Sequence, residues 1–340
     1  VPDNTTLDAY LASWAGEDAL RGDVARVITL MVEAGVVIAD IVGRGALEEA
    51  MGAQTDATNA GGDAQKALDV RTHDIVVDLL KDSPVARVGS EEAKEEVVFD
   101  DARPLVVAMD PLDGSSNIET NVSIGTLFGV LPNDGATSFV QPGRNQLAAG
   151  FIVYGPATAL VLTVGAGTHV FMLDRASGAF VRTHADVQIP AQTKEYAVNA
   201  SNQRHWDDAM QAYVGDCLAG AEGPREKNFN MRWVGSLVAD VFRILVRGGV
   251  YLYPGDARQG YASGRLRLTY ECNPIAFVCE QAGGAATDGV RPILDIEPKS
   301  LHVRSPLVCG SKDEVERIAQ YYAEPPTRSP LFAKRGLFLA

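Results

Sequence analysis

Cysteine is scarce: Cys217, Cys272, Cys279 and Cys309 are the four in 340 residues, with no CxxC pair and no dense framework. That spacing argues against a disulfide scaffold and fits thiols kept reduced in a reducing compartment. Long apolar runs are also missing. None approaches the roughly 20 residues a membrane span needs, and the opening VPDNTTLDAYL lacks the basic-then-apolar order of a signal peptide. The chain therefore reads as soluble and cytoplasmic, with no membrane partner. Basic residues are few: 30 Lys and Arg stand against 44 Asp and Glu, for a net charge of −14 and a pI near 4.8. Nucleic acid is a poor partner for such a chain, because its recognition draws on clustered lysine and arginine. Repeats and low-complexity segments are absent as well.

What is present is enough apolar sequence for a large core. At 36.2 kDa and 46% hydrophobic residues, the chain suits two domains in one compact unit, 1–190 and 191–340, with the boundary near Pro190. The apolar residues Val24, Val27, Ile28, Met31, Ile38, Ile41 and Val42 recur at helical spacing between Asp23 and Gly43. A Gly- and Ala-rich stretch, Gly43 to Gly62, reads as a mobile loop leading into a second helix from about Asp63 to Lys81. From Val85 to Phe180 come short β-rich runs, VARVGS, LVVAM, SIGTLFGVL, LAAGFIVYG, ATALVLTV and THVFML, separated by Gly and Pro. After Gln192 strands and helices alternate, and the tail PPTRSPLFAKRGLF reads as an irregular extension.

Surplus acid is usually a solvated surface, but it also suits Mg²⁺, which takes oxygen ligands. The sharpest signal is MDPLDGSSN, Met109 to Asn117, placed where the buried run Leu105–Ala108 ends. Asp110 and Asp113, separated by a stiffening proline, can project toward one point. Gly114 lets the chain bend, and the N–H groups of Gly114, Ser115 and Ser116 can form a phosphate nest. The same residues also make an ordinary β-turn. Other carboxylates stand at predicted strand ends or loop edges: Glu91 and Glu92 after VARVGS, Asp63 and Asp69 around the start of the second helix, and Glu271 in TYECNP. An anionic substrate would need a local island of positive charge in this acidic chain. Arg265 and Arg267 alternate along GRLRLTYE, so a strand would point both to one face, and Arg232 precedes WVGS at another helix start. Any one of these arginines could instead pair with surface acid.

With these residues in place, the sequence resembles the class I fructose-1,6-bisphosphatases, within the wider lithium-sensitive sugar and inositol phosphatase superfamily. DPLDGSSN, SIGTLFG, QPGRN, FMLD, VGSLVADV, YLYP and GRLRLTYECNPIAFVCEQAGG match family blocks in order, over nearly the whole chain. The resemblance implies a layered αβαβα fold of the α/β class and Mg²⁺-dependent hydrolysis of the 1-phosphate of fructose 1,6-bisphosphate, with Mn²⁺ as a substitute metal. It implies metal ligation by Glu91, Asp110, the carbonyl of Leu112, Asp113 and Glu271, with Asp63, Asp69 and Glu92 as the outer acidic group that orients and deprotonates water. The same resemblance assigns the 1-phosphate to Gly114, Ser115, Ser116 and Arg267, and the 6-phosphate to Asn199, Tyr253 and Arg232. In this family that arginine crosses a subunit interface, which implies a homodimer or homotetramer.

Three positions depart from the family pattern. A substrate-contacting lysine is Arg265, which keeps the charge but presents a planar fork. Tyrosines expected near the 6-phosphate are Asn202 and Trp233. IETNVSIGTLFGVLPND also resembles sedoheptulose-1,7-bisphosphatases, so a seven-carbon substrate is expected alongside the six-carbon one. An inositol-type monophosphatase would lack Asn199, Arg232 and Tyr253, and a non-catalytic sugar-phosphate sensor could lose carboxylates that are all present here. Relatives inhibited by AMP use Thr-Gly-Glu-x-Thr at the start of the first long helix; here the stretch is Arg21-Gly-Asp-Val-Ala25, and insensitivity to AMP is expected.

Overall fold

The computed structural model describes residues 4–45, 54–58 and 64–324. The chain opens with a helix that sequence periodicity did not single out, α1 (Leu7–Ala15), whose Thr6 side chain caps the Ala9 N–H. It is followed by α2 (Ala19–Arg44). The long helix starts ahead of the expected Asp23 because Asp18 caps it, accepting from the Arg21 N–H at 2.9 Å. Of the expected loop from Gly43 to Gly62, residues 46–53 and 59–62 lie outside the described residues, and Gln54–Thr58 is a strand. Strand β1 (Gln54–Thr58) pairs antiparallel with β2 (Ala64–Lys66), and this hairpin delays the next helix, α3 (Ala67–Leu80), beyond the expected Asp63. Asp63 itself, like the tail from Pro325 onward, lies outside the described residues.

Eight strands form the larger sheet: β3 (Val85–Ser90), β4 (Val97–Val98), β5 (Leu105–Asp113), β6 (Ile124–Pro132), β7 (Ala148–Tyr154), β8 (Thr158–Thr163), β9 (Thr168–Leu173) and β10 (Phe180–His184). Their order is β10-β9-β8-β7-β6-β5-β3-β4, antiparallel throughout except for the β3–β5 pair. Sheets covered on both faces show continuous apolar runs, which is how LVVAM and AAGFIVY read. Along β7, Ala148, Ile152 and Tyr154 pack on one face with α1, α2 and α3, while Ala149, Phe151 and Val153 face the opposite core.

The second sheet is built from β11 (Glu195–Val198), β12 (Asn230–Met231), β13 (Val250–Tyr253), β15 (Ala285–Thr287) and β17 (Leu307–Gly310), in the order β12-β11-β13-β17-β15. A separate pair joins β14 (Leu266–Arg267) to β16 (Arg304–Ser305). Helices α5 (Leu237–Arg247) and α6 (Asn273–Gln281) lie between the two sheets, sharing one core with Leu127, Phe151 and Val161 on one side and Tyr251, Leu307 and Cys309 on the other. Helices α4 (Asp208–Leu218) and α7 (Lys312–Ala323) cover the far face, around Tyr213, Met210 and Val308. The layers thus run αβαβα. Among the described residues, no helix is long and apolar enough to cross a membrane.

Candidate active site

The carboxylates gather where β5 ends, and a β-bulge is the reason they face the same way. Residues three apart on a regular strand point to opposite faces. Here Asp110 lies opposite Leu127 while Asp113 lies opposite Gly125, so three steps on β5 match two on β6. The extra residue restores the parity and turns both side chains to one side. The strand therefore does not end at Met109 in a proline turn, as the sequence suggests, but continues through Pro111 to Asp113. The bulged backbone is held by its neighbours: Thr126 Oγ1 donates to the Pro111 carbonyl at 2.9 Å, and the Leu112 N–H donates to Asp110 Oδ1 at 2.9 Å.

Two further acids meet this pair. Glu91 leaves the end of β3, its N–H bonded to the Met109 carbonyl at 3.2 Å. Glu271 sits in a π-helical turn, Leu268–Cys272, that precedes α6, and its Oε2 accepts from the Arg267 N–H at 2.5 Å. Single π turns recur at functional sites because they re-aim a side chain within a helix. Glu91, Asp110 and Glu271 each offer a carboxylate oxygen within 4.8 Å of the others. Burial, then the charges of Glu91, Asp113, Glu271 and Glu92, push Asp110 well above its ordinary range. Burial, opposed by the Val238 N–H and reinforced by Glu91, brings Asp113 up to about 7. Glu271 is raised in the same way by burial, Glu91 and Asp113. An all-oxygen, mutually repelling donor set of this kind fits a hard divalent cation, whose charge would relieve the repulsion.

The phosphate loop follows directly. Gly114 adopts φ +79°, the left-handed region, and opens the 3₁₀ turn Ser115–Thr120, with Ser115 half-buried and Ser116 exposed. Asn117 Nδ2 donates to the Gly235 carbonyl at 2.9 Å and ties this loop to the start of α5. Asp69, in the first turn of α3, is 2% exposed; its Oδ2 accepts from the Lys66 N–H at 2.8 Å. Its Oδ1 is buried and has no hydrogen-bond partner among the described residues.

The arginines separate. Arg267, 2% exposed, brings its Nε to 3.8 Å from Glu91. Arg265 is exposed, stacks over Tyr261 at 4.3 Å and lines a small pocket with Asn199, Asn202, Trp206, Tyr253 and Asp256. The strand expected to carry both is shorter than the sequence suggests: β14 holds Arg267, buried, while Arg265 lies in the bend just before it, exposed. Tyr253 connects the two regions. Burial raises its hydroxyl, Arg265 lowers it, and Glu271 and Asp113 raise it further. Asn199 opens the 3₁₀ turn that carries Asn202, and Trp233 stacks with Tyr251 and Tyr253 at 5.8 and 6.2 Å. Arg232 stands apart, exposed and paired with Glu195 at 3.0 Å.

Sequence reasoning missed three contributors. Ser236, 2% exposed, precedes α5, and its Oγ has no hydrogen-bond partner among the described residues; it lies 3.8 Å from where a Cβ on Gly114 would sit. Lys66 Nζ donates to the Ser115 carbonyl at 3.0 Å. His73 reaches Ser90 beside the glutamates. Ser236 belongs to the family block VGSLVADV, but the Lys66 and His73 contacts join distant segments and leave no local pattern.

The chain matches the family described as fructose-1-6-bisphosphatase, N-terminal domain, over residues 6–185 and its C-terminal domain over residues 189–323. It is 59% identical over 324 residues to the fructose-1,6-bisphosphatase class 1 of Azorhizobium caulinodans, covering 93% of this chain and 99% of that protein. The corresponding protein of Sinorhizobium medicae is 52% identical, with 98% and 99% covered. Among solved structures, the holo form of Leishmania major fructose-1,6-bisphosphatase superposes with a TM-score of 0.87 at 33% identity, covering 95% of this chain and all of that one. The chain belongs to the class 1 fructose-1,6-bisphosphatases.

Proposed function

We propose that this fructose-1,6-bisphosphatase removes the 1-phosphate with roughly two or three Mg²⁺ ions held by Glu91, Asp110, the Leu112 carbonyl, Asp113 and Glu271. The observation that carries this reading is the bulge that turns Asp110 and Asp113 to one side, together with the approach of Glu91 and Glu271. When bound, the cations supply charge neutralisation at the phosphate oxygens and lower the pKa of coordinated water. The chain's own residues do the rest. Gly114, Ser115 and Ser116 orient the 1-phosphate through their N–H groups, with Arg267 adding positive charge beside Glu91. Asp69, with its buried carboxylate, Glu92 and Asp63 accept the proton of the attacking water. Asn199, Tyr253 and Arg265 bind the distal phosphate end of the sugar.

Arg232 does not line that pocket within its own chain, which supports its action in a neighbouring subunit and therefore a homo-oligomer, dimer or tetramer. Asn202, in place of a bulkier tyrosine, supports acceptance of sedoheptulose 1,7-bisphosphate as a second substrate. Phosphate release should be measured over a panel of sugar bisphosphates and monophosphates, with Mg²⁺ or Mn²⁺. Turnover of fructose 1,6-bisphosphate only with metal supports the proposal. Equal turnover without metal, or a preference for monophosphates, overturns it. Glu92→Gln should lower kcat with little change in KM, since its task concerns water rather than sugar.

A further inference from the structure

We infer that His73 is a positioning residue for Glu92, acting through the hydroxyl of Ser90; the inference rests on the role proposed above for the Glu91–Glu92 pair. Asp69 and His73 are one turn apart on α3, at i and i+4, and so share a helix face. Neighbouring residues Leu68, Thr72 and Val76 are buried, which places that side of the helix against the sheet. His73 Nδ1 lies 2.9 Å from Ser90 Oγ. Ser90 closes β3 and is completely buried, and its Oγ accepts from the Glu92 N–H at 3.3 Å.

A serine hydroxyl has one hydrogen and two lone pairs. One lone pair receives the Glu92 N–H. The hydroxyl hydrogen or the second lone pair meets Nδ1, so the contact forms with either neutral tautomer of the ring. Burial holds the imidazole below its ordinary pKa, consistent with a neutral ring in this place. The two glutamates are anchored differently. Glu91 is tied to the sheet by its N–H on the Met109 carbonyl, whereas Glu92 is one residue farther along the turn and its N–H rests on the Ser90 side chain. A hydroxyl left without His73 could rotate away, and the backbone of Glu92 would lose a fixed acceptor. Glu91 would stay in place. His73 therefore sets the position of the glutamate assigned to water and leaves the one assigned to metal unaffected.

The test uses His73→Leu, His73→Asn, His73→Gln and Ser90→Ala in the full chain. An asparagine amide reaches the position of Nδ1, whereas glutamine reaches that of Nε2. Losses at residues that orient a catalytic group are about 10–100-fold. His73→Leu should lower kcat by about that factor, with KM for fructose 1,6-bisphosphate within about twofold. His73→Asn should recover most of the loss and His73→Gln should not. Ser90→Ala should match His73→Leu, and the double variant should be no worse than either. Two readouts are independent of turnover: amide hydrogen exchange at Glu92 should quicken in metal-free His73→Leu, and Mn²⁺ affinity by calorimetry should stay within about twofold. Unchanged kcat and exchange in His73→Leu, equal recovery by Asn and Gln, multiplicative losses in the double variant, or a change confined to KM would each overturn the inference. Glu92→Gln separates the two readings: full turnover there refutes the role of Glu92 itself, whereas a Glu92 loss with silent His73 variants refutes only the positioning role.

Discussion

Arg232 and Glu195 form an ion pair, Nε to Oε1 at 3.0 Å, in which the arginine is one of three: Arg243 and Arg247 hold the same carboxylate at 3.2 and 3.0 Å. Glu195 therefore keeps its partners when Arg232 is removed. An exposed pair of this type is worth about 1 kcal/mol or less, so Arg232→Ala should leave the melting temperature almost unchanged. Its effect should fall on substrate. Loss of a charge-assisted contact worth about 1.5–3 kcal/mol should weaken binding of fructose 1,6-bisphosphate roughly 10- to 100-fold. On the proposal that Arg232 serves the site of a neighbouring subunit, hybrids of Arg232→Ala with an inactive Asp110→Asn variant should regain activity. Verified hybrids with no rescue would place the arginine's action within its own chain.

Asp110→Asn should fold normally, since the amide oxygen can still accept the Leu112 N–H and the residue keeps its volume. It should lose turnover by roughly a hundredfold or more, because a neutral amide is a poor ligand for the cation that activates water. Circular dichroism and phosphate release on the same preparation check both halves. Near-full activity in the folded variant would remove Asp110 from the site.

Much of this architecture was legible in the sequence. The runs from VARVGS to THVFML became strands, because a sheet covered on both faces demands continuous apolar segments. The long helix was equally clear from its spacing. What escaped was set by pairing at a distance. Gln54–Thr58 is a strand only because Ala64–Lys66 lies beside it. The bulge at Pro111–Leu112 is defined by its register with β6, and a reading of DPLD alone gives a turn. Phe180–His184 and Leu307–Gly310 each join a sheet formed by other segments, and the first carries the polar side chains Arg182, Thr183 and His184 that break an apolar pattern. Among the site residues, the motif located Asp110 and Asp113. The helix register that brings His73 to Ser90 could not be read from either segment alone.

A buried ion pair far from the site should govern acid stability. Glu314, 2% exposed, accepts from Arg225 at 2.7 and 2.8 Å, from the Tyr213 hydroxyl at 2.9 Å and from Lys227 at 3.3 Å. Burial alone would raise its carboxyl, but Arg225 and Tyr213 together overcome this and hold it below the ordinary value. A carboxyl lowered on folding contributes its full stability above the unfolded pKa of about 4.3, and loses it as pH falls through the lower folded value. Glu314→Gln should cost about 3–5 kcal/mol near neutrality, since Arg225 is left buried without its counter-charge. The deficit should shrink as pH falls below about 4.3, because the unfolded wild type then takes up a proton that the folded carboxylate, held below its ordinary value, does not. Denaturant melts at pH 7 and pH 3.5 test this; an equal deficit at both would show that packing, not charge, accounts for it.

The last prediction is insensitivity to AMP. In AMP-inhibited relatives, threonine hydroxyls and free N–H groups at the start of the first long helix grip the phosphate. Here the corresponding stretch, Arg21-Gly-Asp-Val-Ala25, has neither threonine, and the helix start already holds an anion of its own. Asp18 accepts from the Arg21 N–H at 2.9 Å, so its carboxylate occupies a donor that a phosphate would use and repels the phosphate charge. Arg21 is committed as well, donating to the Trp14 carbonyl at 3.4 Å and stacking over the Trp14 ring at 5.5 Å. The cavity beside it, about 300 Å³ and lined by Trp14, Val24, Leu147 and Val164 among others, is mostly apolar. By the same resemblance, the positions at which AMP-inhibited relatives carry Lys-Tyr and an arginine are Pro104, Leu105 and Pro132 in this chain. Leu105 and Pro132 face each other across β5 and β6, and none of the three has a side-chain donor. Without several such hydrogen bonds and ion pairs, each worth about 1–3 kcal/mol, affinity for the nucleotide falls by orders of magnitude. Steady-state assays at saturating Mg²⁺ should show no inhibition until AMP reaches roughly millimolar concentration. Cooperative inhibition at micromolar AMP would show that other residues of this chain rebuild the nucleotide site.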